Sequence, residues 1–357
     1  MTSQKKKVLF FLPNTVGGAE RMTIIIAKML PRHEFEVKFI VVGRSVGDIA
    51  EFIPSGYPVR LIQVKSIWLG GTIRIWNVIR KEKPNIVFSS MIYLNARLIL
   101  AAKLCGIKVI VRNNTILKRT TQKINKLLIL LTYRWANIVI AQQEEMRDEI
   151  ISYTGLPAEK VITLHNPIDV ERIKECLKAE NPFPREAQNQ YKYICIARFN
   201  PVKGQDLIVR AIEMVRRERP NAHLYLIGKY DENCSYFKSI KEFVKSHKLR
   251  ECVHFMGFDS NPYRWMKYAE CFVMPSRLEG LPNSLIDAMY IGKPVVATRC
   301  IPVIDRIVKN GYNGIVVDSD NFMALAEGMR NAPLLNDFEM TYHPTSNNNF
   351  ISIFNSI

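Results

Sequence analysis

Short apolar runs alternate with longer amphipathic stretches along almost the whole chain, and no other feature constrains its fold as strongly. Strand, helix and strand again in succession is the pattern of a parallel sheet with crossover helices. The first series predicts strands at 7–12, 36–42, 59–64, 85–89, 107–111, 137–140 and 161–164, with helices at 18–30, 72–82, 94–105 and 142–153. The alternation breaks around 166–192, where His165-Asn166-Pro167-Ile168-Asp169 reads as a turn and Asn181-Pro182-Phe183-Pro184 is rich in breakers. A second series predicts strands at 192–197, 222–227, 252–255, 270–273, 293–297 and 314–317, with helices at 204–217, 235–247, 261–268 and 283–290. The fold class is therefore α/β, with two Rossmann-like doubly wound domains facing across a cleft. A chain of 357 residues suits two domains of ~150 residues each. The expected division is an N-terminal domain over 1–170, a linker at 171–190, a second domain over 191–335 and a polar tail at 336–357. That tail is either a short final helix capped near Ser346 or a disordered end.

The net charge of +17 is unevenly spread: residues 1–180 hold 28 Lys and Arg against 15 Asp and Glu. From Lys83 to Gln143 there is no acidic residue at all, while Arg97, Lys103, Lys108, Arg112, Lys118, Arg119, Lys123, Lys126 and Arg134 all lie there. A surface of this kind attracts phosphates of nucleic acid, anionic lipid or a diphosphate-linked substrate. No interleaved aromatic platform accompanies the cations, so nucleic acid is the lesser reading. The 7 cysteines are scattered singly, which fits neither a zinc site nor a disulfide framework and points to a reducing compartment. The start, Lys5-Lys6-Lys7 before Val8-Leu9-Phe10-Phe11-Leu12-Pro13, reads as a first buried strand, its apolar run being too short for a secretory core. No stretch approaches the ~20 apolar residues of a membrane span.

Three constellations could carry chemistry. Gly17-Gly18-Ala19-Glu20-Arg21 opens the first helix, where glycines allow close backbone approach and a helix N-terminus favours an anion; it reads equally as an ordinary strand-to-helix turn. Ala197-Arg198-Phe199-Asn200-Pro201-Val202-Lys203-Gly204 leaves the first strand of the second half, placing two cations at a strand's carboxyl end, where open α/β sheets bind ligands. Arg198 and Lys203 can both reach a diphosphate, or they are two solvated surface cations. The third is Pro275-Ser276-Arg277-Leu278-Glu279-Gly280-Leu281-Pro282-Asn283-Ser284-Leu285-Ile286-Asp287-Ala288-Met289, a strand end, a loop and a helix start. Two carboxylates so placed, Glu279 and Asp287, can accept hydrogen bonds from two sets of sugar hydroxyls; the run reads equally as a helix cap with acids nearby.

The run from Glu279 to Met289, followed by Gly292-Lys293-Pro294-Val295-Val296-Ala297-Thr298, resembles the glutamate-x7-glutamate region of retaining glycosyltransferases of family 4, which have the GT-B fold. The Gly17-Gly18 start, the 198–204 loop, the Met256-Gly257-Phe258 turn and the Asn310-Gly311-Tyr312-Asn313-Gly314 turn fall in the family's order. The resemblance implies that Arg198 and Lys203 bind the donor diphosphate and stabilise it as it leaves, that Glu279 contacts the donor sugar and that Asp287 holds the ribose. It assigns donor binding also to Gly17, Gly18, Gly257, Gly280, Leu281, Pro282, Asn283 and Ser284. Neither metal nor cofactor is implied, the nucleotide sugar being a substrate. Two departures stand out. Asp287 replaces the usual Glu and is one methylene shorter, and a lost ribose bond to a charged group is worth ~1.5–3 kcal/mol. Where many relatives carry a His after the fifth strand, this chain reads Val111-Arg112-Asn113-Asn114-Thr115, so Arg112 or Asn113 takes the acceptor-side place. His165 reads as structural.

The activity implied is transfer of a hexose or N-acetylhexosamine, from a UDP-linked donor in preference, with retention and without metal, to a glycan or lipid-linked acceptor of polysaccharide biosynthesis. Within the basic segment 97–134, Ile116-Leu117-Lys118-Arg119 leads into Ile124-Asn125-Lys126-Leu127-Leu128-Ile129-Leu130-Leu131. This stretch reads either as a peripheral contact with an anionic membrane at its cytoplasmic face or as a core helix with a solvated basic face. The rival functions are a sugar-nucleotide epimerase and a non-catalytic glycan-binding scaffold, the latter favoured by Asp287 and the short tail.

Overall fold

The computed structural model describes residues 4–64, 70–115, 117, 123–332 and 340–357. The chain divides into two compact units, Met1–Pro167 with His343–Ile357, and Ile168–Tyr342. In the first unit β1 (Lys6–Pro13), β2 (Phe35–Gly43), β3 (Val59–Gln63), β4 (Ile86–Ser89), β5 (Lys108–Arg112), β6 (Ile138–Ala141) and β7 (Val161–Thr163) form a seven-stranded sheet in the order β3-β2-β1-β4-β5-β6-β7. Every pairing is parallel. Between the strands run α1 (Gly18–Met29), α2 (Gly71–Glu82), α3 (Ile92–Cys105), α4 (Lys123–Thr132) and α5 (Glu144–Thr154). The unbroken apolar run of β1 has a direct cause: Leu9 and Phe11 pack with α2, α3 and α5 on one face, and Val8, Phe10 and Leu12 pack with α1 on the other.

The tail resolves as a helix, Asn347–Asn355, capped by Ser346, whose side chain accepts from Asn349 N. Phe350, Ile353 and Phe354 are buried, and the Phe354 ring lies 5.8 Å from Phe10 and 5.9 Å from Phe88. Lys6 Nζ donates to the terminal carbonyls of Phe354, Asn355 and Ile357 at 3.1–3.2 Å, satisfying groups that a helix end leaves open. Residues 333–339, including the polar start of the tail at Asp337, lie outside the described residues.

At the end of α2, Glu82 receives Lys7 Nζ at 2.7 Å, Lys38 Nζ at 2.6 Å and Arg60 Nη1 at 2.7 Å, one cation from each of β1, β2 and β3. Burial by itself would raise this carboxyl, but the three donors outweigh it and hold it near 2, against an ordinary 4.5. A carboxylate whose folded value is depressed stabilises the fold fully above its unfolded value and loses that contribution as pH falls towards the folded one. Glu82→Gln is therefore expected to melt earlier than wild type at neutral pH. The gap should narrow below about 4.5 and close towards about 2. Equal urea midpoints at pH 7 would contradict this.

The second unit holds β8 (Tyr191–Ile196), β9 (Ala222–Ile227), β10 (Val253–Gly257), β11 (Cys271–Met274), β12 (Val295–Thr298) and β13 (Gly314–Val317), again parallel, in the order β10-β9-β8-β11-β12-β13. Its helices are α6 (Val170–Cys176), α7 (Gln205–Glu218), α8 (Ser235–Ser246), α9 (Pro262–Tyr268), α10 (Asn283–Tyr290), α11 (Ile304–Ile307) and α12 (Phe322–Asn331). The chain winds outward from β8 to β10, then returns to β11 on the other side of β8. The carboxyl ends of β8 and β11 thus flank the switch point, where such sheets bind ligands.

Residues 171–190, expected as a linker, belong to the second unit. They hold α6 and a 3-10 turn at Arg185–Asn189. Phe183 is the reason: among the breakers it is buried, edge-on to Tyr225 at 4.7 Å and to Trp265 at 5.0 Å. Asn261 and Lys267 further tie this segment by donating to Cys176 O and Leu177 O. A breaker-rich composition signals irregular backbone, not a free linker.

Candidate functional site

Two loops meet at the switch point of the second unit. The first leaves β8 at Ala197. Asn200 Oδ1 accepts from Val202 N at 3.1 Å and starts a tight turn, Pro201–Lys203, that ends at Gly204. Gly204 has φ +67°, and a Cβ built on it would sit 2.0 Å from Pro275 O. Only glycine permits both the left-handed backbone and that approach. The buried Gln205 side chain holds the loop from below, donating to Arg198 O at 3.1 Å.

The second loop leaves β11 and lies on the first through its backbone: Arg277 N donates to Val202 O at 2.8 Å and Leu278 N to the same oxygen at 3.3 Å. This contact brings two of the predicted residues together. Lys203 Nζ lies 2.7 Å from both carboxylate oxygens of Glu279, and Ser276 Oγ donates to Glu279 Oε1 at 2.7 Å. The Glu279 side chain is 12% exposed, against 28% for Lys203. Arg198 is exposed at the mouth of the same loop, and its guanidinium makes no ion pair among the described residues. Two thiols flank the pair, and burial pushes both Cys195 and Cys300 up to about 12, so neither is an activated nucleophile near neutrality.

From Glu279 the loop runs through Gly280, the buried Leu281 and Pro282 into α10, whose N-terminus has no side-chain cap. Asn283 and Asp287 are one helical turn apart and share a face; Ser284 lies beside them in the first turn. Gly257 ends β10 with φ +72° and open space around its Cα. The arrangement offers one exposed cation, one cation shared with a carboxylate, and a helix N-terminus, all at the ends of adjacent strands.

The first unit differs from expectation at two places. Gly17 caps α1 in an extended conformation and Gly18 is its first residue, yet that terminus already has an anion of its own. Glu20 is buried there, held by Thr15 Oγ1 at 2.7 Å, and a Cβ at Gly17 would meet its Oε2 at 2.7 Å. Arg112 and Asn113, expected on the acceptor side, are both fully buried. Arg112 Nη2 donates to Asn166 Oδ1, and Gln142 accepts from the same nitrogen at 2.8 Å once its amide oxygen faces the guanidinium. Asn113 Oδ1 accepts from Tyr133 OH at 2.7 Å, and Asn95 Nδ2 donates to Arg112 O at 3.1 Å. These side chains close a polar network inside the unit rather than reach outward. His165 Nδ1 lies 3.0 Å from Gln142 O, a structural contact.

Sequence reading passed over two members of the site. Ser276 and Arg277 both lie within the Pro275–Met289 run; Ser276 bonds Glu279 three residues on, whereas Arg277 reaches Asp206 and Pro201 O on a remote part of the chain.

Family models match both halves of the chain: the one described as Glycosyltransferase Family 4 over residues 16–172, and the one described as Glycosyl transferases group 1 over residues 178–344. The chain is 28% identical over 245 residues to an uncharacterized glycosyltransferase of Methanocaldococcus jannaschii, covering 64% of this chain and 59% of that protein. It is 25% identical over 207 residues to the N-acetylgalactosamine-N,N'-diacetylbacillosaminyl-diphospho-undecaprenol 4-alpha-N-acetylgalactosaminyltransferase of Campylobacter jejuni, covering 58% of this chain and 53% of that one. The chain thus spans a little over half the length of each of these two relatives. Anabaena HepE, solved in complex with UDP and glucose, matches with a TM-score of 0.80 at 19% identity over 98% of both chains. That likeness is one of fold, the two Rossmann-like domains of a GT-B protein.

Proposed function

Because the chain belongs to the glycosyltransferases of family 4 and carries their group 1 domain, we propose that it moves a hexose or N-acetylhexosamine from a UDP-linked donor to a lipid-linked or oligosaccharide acceptor of polysaccharide biosynthesis. The observation that carries this reading is the Lys203–Glu279 pair beside the exposed Arg198, at the carboxyl ends of β8 and β11. The HepE structure holds UDP and glucose, and the Campylobacter relative's name specifies a diphospho-undecaprenol acceptor; both support the choice of donor and acceptor class.

Negative charge grows on the departing diphosphate as the anomeric bond breaks. Arg198 can meet it with forked hydrogen bonds, Lys203 with a point charge, and the start of α10 with backbone N–H groups, all fixed before the reaction begins. Glu279 then exchanges part of its bond to Lys203 for the sugar's hydroxyls, and Asp287 takes the ribose. This provision of positive charge needs neither a metal ion nor a cofactor. Departure and attack on one face of the sugar, with the acceptor hydroxyl's proton passing to the departing phosphate oxygen, give retention without a protein nucleophile. The test is incubation of UDP-hexoses and UDP-N-acetylhexosamines with a polyprenyl-diphosphate-linked sugar in EDTA, followed by product mass and anomeric configuration by NMR. A product one sugar heavier, with the donor's anomeric configuration, is expected. Interconversion of the free nucleotide sugars without acceptor would point to an epimerase instead, and an inverted product would contradict retention.

The acceptor's lipid would bring the first unit to a membrane, and α4 carries the surface for it. The inward residues Ile129 and Thr132 are buried, whereas Ile124 and Leu127 are each 51% exposed, with Leu131 at 48% and Leu130 at 42%. Ile124, Leu127 and Leu131 recur at the spacing of one helix face. Trp135 follows beneath the Arg134 guanidinium, 4.8 Å from it. The outward face is thus aliphatic and fringed by cations, in a segment without acids, which favours insertion at an anionic surface over a solvated basic face. Ile116, Lys118 and Arg119 of this segment lie outside the described residues. Among the described residues no helix is long and apolar enough to cross a membrane. The protein is expected to co-sediment with vesicles rich in phosphatidylglycerol and not with phosphatidylcholine. The Leu127→Glu, Leu131→Glu double variant should weaken this by about tenfold or more. Absence of wild-type binding to the anionic vesicles would remove the assignment to a membrane's cytoplasmic face.

A further inference from the structure

The charge of Arg277 is already committed within the protein. Its Nη1 donates to Asp206 Oδ1 at 2.8 Å and to Pro201 O at 2.7 Å, its Nη2 to Asp206 Oδ2 at 2.7 Å, and its Nε to Asp320 Oδ1 at 2.6 Å. Two carboxylates balance one guanidinium, so this cation is not a spare ligand for phosphate, although it stands two positions before Glu279. Its partners are what matter. Pro201 begins the turn that presents Lys203, and Asp206 lies in the first turn of α7, immediately after Gly204 and Gln205. Asp206 is itself held from α8, by Tyr236 OH at 2.7 Å. Together with the bond from Arg277 N to Val202 O at 2.8 Å, the guanidinium grips the Lys203 turn on both sides of the lysine while its own backbone carries the Glu279 loop.

We propose that Arg277 and Asp206 form a clamp that fixes Lys203 relative to Glu279, making Arg277 a positioning residue for the diphosphate half of the ligand. This rests on the donor reading above. The forked geometry is required: an ammonium at this position supplies a point charge and cannot hold both Asp206 oxygens and Pro201 O in one plane. When the clamp is loosened, Lys203 moves while the nucleoside's own contacts stay, so the loss falls on the phosphates alone. Loss of one hydrogen bond to a charged group weakens binding by about tenfold to a hundredfold.

The experiment is calorimetric titration of UDP, GDP and ADP, and of the matching free nucleoside, into wild type, Arg277→Lys and the nearly isosteric Asp206→Asn, with melting curves for each. For the diphosphate that binds wild type, a weakening of about tenfold or more is expected in both variants, with nucleoside affinity held within twofold. Asp206→Asn should stay folded, and it keeps the test open if Arg277→Lys does not. Unchanged diphosphate affinity in a folded variant would overturn the clamp and leave the donor reading intact. An equal loss for nucleoside and diphosphate would reduce the pair to a structural role. Absence of wild-type binding to every diphosphate would remove the donor reading and the clamp with it.

Discussion

Alanine at position 203 is expected to slow sugar transfer by about 10²–10³-fold, the loss seen when one preorganised charge-stabilising donor is removed. Two effects add. The departing diphosphate loses a cation, and Glu279, whose two oxygens both lie 2.7 Å from Lys203 Nζ, keeps the bond from Ser276 Oγ but loses its ion pair. An uncompensated carboxylate beside a site for phosphates repels them, so donor binding should weaken together with kcat. Lys203→Arg is not expected to rescue fully, because the longer, planar guanidinium carries its charge past the place that the compact ammonium holds beside Glu279. Glu279→Gln separates the two effects. It frees the ammonium and removes the repulsion, so it should bind UDP at least as tightly as wild type while transferring sugar poorly. The check is kcat and KM for transfer together with UDP affinity by calorimetry. Wild-type kcat in Lys203→Ala would refute the role given to the lysine.

Gly204→Ala is expected to be among the most damaging small changes to the second unit. A residue other than glycine in the left-handed region costs about 1–3 kcal/mol where the surroundings hold it there. Gly204 adds a second demand, since its new Cβ would lie 2.0 Å from a backbone oxygen, Pro275 O, which has no rotamer to escape into. The β8 and β11 loops would have to part, and the Lys203–Glu279 contact with them. Gly292 gives the control: its φ is +79°, but nothing lies within 4 Å of a Cβ there, so Gly292→Ala carries the backbone strain alone. Thermal melting should place Gly204→Ala well below Gly292→Ala, and only the former should lose nucleotide binding. Equal melting temperatures would show that the close approach has no consequence.

Most strands and the longer helices were legible because a parallel sheet covered on both faces demands continuous apolar runs, and crossover helices demand a stripe. Val8 to Leu12, too short for a secretory core, reads as one of these strands. Two of the elements passed over, α6 and α11, lacked such a signal. α6 hides among breakers that Phe183 anchors, α11 is a single turn, and α12 was missed although Asn321, which accepts from Met323 N and Ala324 N, is a clear cap. α4 was recognised as an apolar and basic stretch, but which side of it faces outward is decided by packing against α3. The loops of the second unit were legible as motifs; their joining was not. Arg277 and Asp206 are 71 residues apart, and nothing local to either announces the other. Arg112 shows the converse. The family resemblance put Arg112 or Asn113 on the acceptor side, and the burial of Arg112 depends on Gln142 and Asn166, which come near only when the sheet forms. The short tail, which had favoured a non-catalytic scaffold, completes the first unit through Phe350 and Phe354 and no longer supports that reading.

A diphosphate site at the ends of β8 and β11 is tested by calorimetric titration of UDP, GDP and ADP, in EDTA, into wild type and Arg198→Ala. One nucleotide, UDP in this account, should bind wild type without metal and bind Arg198→Ala at least about tenfold more weakly, since a charged hydrogen bond is worth ~1.5–3 kcal/mol. Failure of all three to bind wild type, or undiminished affinity in the arginine variant, would contradict a diphosphate site at the ends of β8 and β11.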